Sequence, residues 1–193
     1  MGLLFLKTEG KSTIAVWEIT ESFEDLNIKL YQNEINKFKS TKRKLEYICT
    51  RLLLNVIDEK LKISYNKYGA PILNNNKYIS ISHTTKLIAI VISKNKVGAD
   101  LELISQKLLK IKSRFISNND NVASNKENLT LAWSAKECVF KWHQKGNINF
   151  KEDIQINKII EDPNFEIYTK FQNQELILNY EEINNHFLVY FCK

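Results

Sequence analysis

Between Tyr78 and Glu102 the chain carries three short strand-like runs, the first two rich in β-branched residues, separated by only a few residues each. Tyr78–Ser82 (YISIS) and Leu87–Ser93 (LIAIVIS) read as a strand pair around His83-Thr84-Thr85-Lys86. Asn95-Lys96 then turns the chain into a further strand, Val97–Leu101, ending in Glu102. This commits the middle of the chain to sheet. Leu3–Leu6 and Thr13–Ile19, joined by Glu9-Gly10-Lys11, read as two more strands. After Ser40 the period changes. Leu45, Ile48, Leu52, Leu53, Val56 and Ile57 recur at helical spacing, with Ser40 or Thr41 suited to the N-cap.

The second part repeats the theme in a different order. Lys107–Phe115 reads as a helix, and so does Leu129 to Lys145, with Gly146 at the place where glycine ends helices. Phe165–Phe171, Glu175–Tyr180 and Phe187–Cys192 then read as strands, the first two joined through Asn173-Gln174. Strands, helix, strands, then helix, strands predicts an α+β architecture, in two similar halves, 1–102 and 103–193.

Composition narrows the function classes. At 193 residues, 44% hydrophobic and 26% charged, the chain has enough apolar material for a real core. Five glycines and two prolines exclude collagen-like sequence and a long glycine-rich phosphate loop. No apolar run reaches the roughly 18 residues of a membrane span, so no membrane role is expected. Cys49, Cys138 and Cys192 are odd in number and widely spaced, which predicts buried thiols in a reducing cytoplasm rather than disulfides or a nucleophile. The formal charge of +6 points to an anionic partner.

Three carboxylates stand out. Asp100 and Glu102 are two apart on a strand, so both project from one face, where like charges repel unless a cation relieves them. Gly98 before them allows a backbone or a ligand to come close. Glu137 and Lys141 are spaced i,i+4 on a helix crowded by Trp133, Phe140 and Trp142. The ordinary reading is a solvated ion pair, but those aromatics predict that much of the helix is buried. His83, at a strand end beside Ser82, is either a satisfied turn residue or a donor to a phosphate oxygen.

Taken together, Ser80–Thr84 (SISHT), Val97–Glu102 (VGADLE) and Trp133–Lys141 (WSAKECVFK), in this order and spacing, resemble the 4'-phosphopantetheinyl transferase superfamily. Tyr68-Gly69-Ala70-Pro71, Arg114-Phe115 and Gly146 add to the likeness, which runs from about Arg43 to Asp153. One copy of each motif in a chain of this length resembles the long monomeric type, a pseudo-dimer of two α+β halves. The resemblance implies transfer of the phosphopantetheine arm of coenzyme A to a serine of an apo acyl or peptidyl carrier protein. It implies Asp100, Glu102 and Glu137 as Mg²⁺ ligands, Glu137 also as the base, and Lys141 as the residue that stabilises phosphate charge. It further implies coenzyme A contacts from Ser82, His83, Arg43, Arg51 and Lys67. Ala70 stands where the family commonly has lysine, which leaves one phosphate contact missing or supplied by Lys67.

Two other classes compete. A basic nucleic-acid-binding protein would show a basic stripe with aromatic stacking platforms, whereas the lysines are scattered and the aromatics fall at core-like positions. A non-catalytic family member that only binds coenzyme A or a carrier is opposed by the intact motif residues. The expectation is therefore an active, monomeric cytoplasmic transferase, with no nucleic acid or membrane among its partners.

Overall fold

Every residue of Leu87–Ser93 is buried, so this strand is covered on both faces, and its alternation shows by what. Ile88, Ile90 and Ile92 join a core beneath a long helix that contributes Cys49, Leu53 and Leu54. Leu87, Ala89 and Val91 instead join a second core between two sheets. Period-two geometry sends successive side chains to opposite faces. A doubly apolar run is therefore the signature of an internal strand.

The computed structural model describes residues 2–24, 26 and 31–192. In chain order the elements are β1 (Leu3–Glu9), β2 (Ser12–Glu18), α1 (Gln32–Ile35), α2 (Thr41–Ile57), β3 (Ile63–Tyr65), β4 (Pro71–Leu73), β5 (Tyr78–His83), β6 (Leu87–Ser93) and β7 (Val97–Leu103). They continue with α3 (Lys107–Ile111) and a 3₁₀ turn (Lys112–Arg114), α4 (Lys126–His143), β8 (Ile154–Ile160), β9 (Glu166–Phe171), β10 (Gln174–Ile183) and β11 (His186–Cys192). One antiparallel sheet has the order β1-β2-β6-β5 and the other β7-β11-β10-β9-β8, with β3-β4 a separate hairpin. The fold is α+β, layered as α2, first sheet, second sheet, α4. The chain changes sheet at the turn before Val97, because β7 pairs with β11.

β11 follows the same rule as β6. Phe187, Val189 and Phe191 face the core under α4, while Leu188 and Tyr190 face the inter-sheet layer. In β7, Val97, Ala99 and Leu101 belong to the inter-sheet layer. That alternation turns Gly98, Asp100 and Glu102 toward α4. Two further links join the sheets: Lys7 of β1 pairs with Glu181 of β10, and the Thr84 hydroxyl meets His186 Nε2 at 3.3 Å.

Several expectations need correction. The stripe on α2 is rotated, so that Cys49, Leu53 and Leu54 are buried while Val56 is 39% exposed. Ser40 does cap this helix, accepting from the Arg43 N–H at 3.3 Å. Gly146 does not end α4. Gln144 takes the left-handed position at φ 64° and its N–H closes on the Phe140 carbonyl. The β9–β10 turn is Gln172-Asn173, both at positive φ, with Gln174 already in the strand. Strands β3, β4 and β8, in segments bounded by polar residues, were not anticipated. No described helix is long and apolar enough to cross a membrane.

Candidate active site

Gly98 is the residue that lets the site close. A Cβ at this position would lie 2.1 Å from the Cys138 carbonyl oxygen and 2.8 Å from Trp142 Cβ. Only glycine allows α4 to rest directly on β7 at this point. The close approach expected at Gly98 is thus made by a helix backbone. It brings Glu137 and Lys141, on the turns flanking Cys138 and Trp142, over the Asp100–Glu102 face.

Asp100 is buried, and each of its oxygens is held. Oδ1 accepts from the Ser82 hydroxyl at 2.9 Å and from Lys141 Nζ at 2.7 Å, while Oδ2 accepts from the Ser134 hydroxyl at 2.9 Å. Lys141 also donates to Ser82 Oγ at 2.9 Å. One carboxylate therefore ties together β5, β7 and α4, drawing residues from each of the three sequence motifs. β5 is fixed to β7 one step earlier as well, where Ser80 Oγ accepts from the Ala99 N–H at 2.9 Å.

The i,i+4 pair between Glu137 and Lys141 is not formed, since Lys141 turns to Asp100 instead. Among the described residues Glu137 forms no hydrogen bond or ion pair. Burial pushes its carboxyl up to about 7, aided by the nearby charges of Asp100 and Glu102 and opposed by Lys141. Burial and Asp100 also raise the Glu102 carboxyl, against the pull of Lys107, the Leu103 N–H and Lys141. Among the described residues no three His, Cys, Asp or Glu side chains converge closely enough to grip a metal ion. The donor set nonetheless has the chemistry of a hard-cation site. Three carboxylates share one corner, and part of what lifts Glu102 and Glu137 is their repulsion, which a divalent cation would relieve.

The predicted coenzyme A contacts separate. Arg43, Arg51 and His83 line one pocket of about 400 Å³, together with Lys37, Glu46 and Tyr47. Ser82, one residue from His83 and so on the other face of β5, points instead to Asp100 and Lys141. Lys67 is exposed, with Nζ 5.0 Å from the Tyr68 ring centroid, and does not line that pocket. A second pocket of about 280 Å³ reaches Lys141 and is lined by Tyr68, Ala70 and Phe140; it shares Gly69, Pro71 and Ile81 with the first. The basic pocket and Lys141 are therefore served by adjoining clefts.

Sequence reasoning gave no role to Ser134, Lys136 or Glu46. Ser134 lies seven residues before Lys141, two helical turns, so their common face was legible in the spacing. Lys136 is fully buried and bonds to Asp120 Oδ2, the Phe150 carbonyl and the Ile154 carbonyl at 2.9, 2.9 and 2.6 Å. Trp133 of the same motif packs on Phe115 and Phe150. Of the three thiols expected to be buried, Cys192 at the end of β11 is only partly so. Cys49 and Cys138 are free and buried, and burial beside Glu21 pushes the Cys49 thiol up to about 12.

The chain is 30% identical over 101 residues to the 4'-phosphopantetheinyl transferase gsp of Aneurinibacillus migulanus. The matched stretch covers 49% of this chain and 43% of that protein, so the chain spans less than half the length of the curated relative. No family model matches the chain.

Proposed function

We propose that this protein transfers the 4'-phosphopantetheine arm of coenzyme A to a serine hydroxyl of an apo acyl or peptidyl carrier protein. Adenosine 3',5'-bisphosphate is the second product. The observation that carries this reading is the meeting of Ser82, Asp100 and Lys141, with Glu137 near enough to feel their charges, beside a cleft that adjoins the basic Arg43–His83 pocket. Similarity to a curated transferase supports it independently.

The reaction forms a bond between the serine oxygen and the β-phosphorus of coenzyme A and breaks the bond from that phosphorus to the bridging oxygen. Positioning and charge neutralisation dominate such chemistry. Glu137, on the face of α4 turned toward Asp100 and Glu102, is suited to accept the serine proton. Lys141, held by Asp100 and Ser82, presents its ammonium to the leaving phosphate. Asp100, Glu102 and Glu137 would hold Mg²⁺, which supplies neutralisation of diphosphate charge when bound. Arg43 and His83 orient the nucleotide end. The protein acts as a monomer of two α+β halves in the cytoplasm, and its positive charge suits both an anionic donor and an acidic carrier.

The test is direct. The protein is incubated with Mg²⁺, coenzyme A and a panel of apo carrier proteins, and the carriers are weighed by mass spectrometry. A phosphopantetheine gain on at least one carrier is expected, abolished by removing Mg²⁺ with a chelator. No gain on any carrier, when a reference transferase modifies the same panel, overturns the reading.

A further inference from the structure

A carboxylate sits where the basic pocket should be most positive. Glu46, one turn after Arg43 on α2, is only 4% exposed and lines the pocket with Arg43, Arg51, Lys37 and His83. Arg43 Nη1 donates to Glu46 Oε2 at 3.0 Å, and Lys42 Nζ and His83 Nδ1 stand 3.8 and 3.6 Å from Oε1. Arg43 Nη1 also lies 3.2 Å from His83 Nε2. The cations available to a phosphate at this corner already face one buried anion.

The other basic groups of this region have partners too: Lys37 Nζ lies 5.3 and 5.5 Å from the Phe38 and Tyr47 ring centroids. The Arg51 guanidinium stacks on Tyr47 at 3.4 Å from the ring centroid and donates to the Tyr47 carbonyl. Lys67 lies over Tyr68, and position 70 is alanine. At a ribose, a carboxylate accepts a hydroxyl and repels a phosphate, while an arginine does the reverse. Dinucleotide-binding folds separate NAD from NADP in this way. In this pocket both groups stand in direct contact, so neither form of the ribose has the clear advantage.

We propose that Glu46 is a specificity-determining residue that lets the protein use 3'-dephosphocoenzyme A about as well as coenzyme A. This rests on the transferase reading, with the ribose at the Arg43–Glu46–His83 corner. A free 3'-hydroxyl donates to Glu46 and leaves the Arg43 pair in place. A 3'-phosphate gains Arg43 and Lys37, which line the pocket, but meets the Glu46 charge, and the two effects offset. The transfer step is unchanged: the serine oxygen bonds to the β-phosphorus and the bridging bond breaks. The serine proton ends on the leaving phosphate, and adenosine 5'-monophosphate departs in place of the 3',5'-bisphosphate.

The wild type and Glu46→Gln are compared for transfer to one apo carrier from each donor. Calorimetric binding of adenosine 3',5'-bisphosphate and adenosine 5'-monophosphate is measured alongside. In the wild type the two kcat/KM values are expected to agree within about tenfold, a difference of about 1.4 kcal/mol. Glu46→Gln is expected to raise the preference for coenzyme A by about tenfold, with the bisphosphate gaining affinity over the monophosphate to match. Each ratio is taken within one protein, so a partly unfolded variant does not distort it. A wild-type preference for coenzyme A of about a hundredfold or more, or a ratio unmoved by the substitution, overturns the inference and leaves the transferase reading standing. Absence of transfer from both donors overturns the transferase reading. The nucleotide affinities then still decide the role of Glu46, and failure of both nucleotides to bind overturns that too.

Discussion

Lys136 and Lys141 lie five residues apart on α4, and each pairs with an aspartate, at 2.9 and 2.7 Å. Their surroundings part them. Lys136 and Asp120 are both fully buried, and all three ammonium protons are used, on Asp120 and two carbonyls. Asp120 in turn accepts from the N–H and hydroxyl of Ser117 and from the Ile156 N–H. Lys141 is 26% exposed, opens on a cleft, and faces a corner where three carboxylates leave charge to spare. A closed ion pair can only hold elements in place, whereas an open one beside uncompensated charge can act on a ligand. The difference lies in what surrounds the pair, not in the pair itself.

Substitutions at four positions test that contrast. Lys136→Met leaves Asp120 buried without its cation, and unfolding in urea is expected to show a loss of about 3–5 kcal/mol. A loss below about 1 kcal/mol would remove the structural half of the comparison. Lys141→Ala is expected to lower carrier modification by about a hundredfold or more, while costing about 1–3 kcal/mol of stability, since Asp100 loses its cation but keeps the Ser82 and Ser134 hydroxyls. If its stability loss equalled that of Lys136→Met with transfer preserved, the two lysines would play the same part.

Gly98→Ala puts a Cβ against the Cys138 carbonyl and Trp142, forcing the Lys141 turn of α4 away from β7. The expected cost is about 1–3 kcal/mol by denaturation, with transfer falling further than stability alone explains. Normal activity in this variant would show that close helix–strand contact is not what assembles the site. The smallest effect is expected from Ser134→Ala, about 1 kcal/mol, because it removes one of three donors to Asp100 and leaves Lys141 in place. Ser134→Thr, which keeps the hydroxyl, should recover most of it; equal losses in both variants would point to packing rather than to the bond.

Much of this was legible in the chain. Strands β5 and β6 follow from their β-branched runs, β7 from the turn at Asn95-Lys96 before it, and the N-cap of α2 from Ser40. Asp100, Glu102, Glu137 and Lys141 were all singled out from motif order and strand or helix spacing. What the spacing misread is instructive. Glu137 and Lys141 sit where an i,i+4 pair would form, yet Lys141 finds Asp100, 41 residues away in sequence, because a nearly buried carboxylate outcompetes a partly exposed one. Ser82 and His83 read as one functional unit but lie on opposite faces of β5. Glu46 went unnoticed because an acidic residue three after an arginine on a helix is ordinarily a surface pair.

The sequence by itself determined most of the local elements and the identity of the acids and bases that could do chemistry. Periodicity and residue type are local properties, and they survive without the fold. Only the tertiary structure decided which of those groups meet. The Gly98 contact sets α4 on β7, the serine hydroxyls orient Asp100, and the closed Asp120 knot consumes one lysine while its neighbour five residues on remains free to face the cleft. Charge pairing depends on distance and burial, and both are set by layers packed from distant parts of the chain.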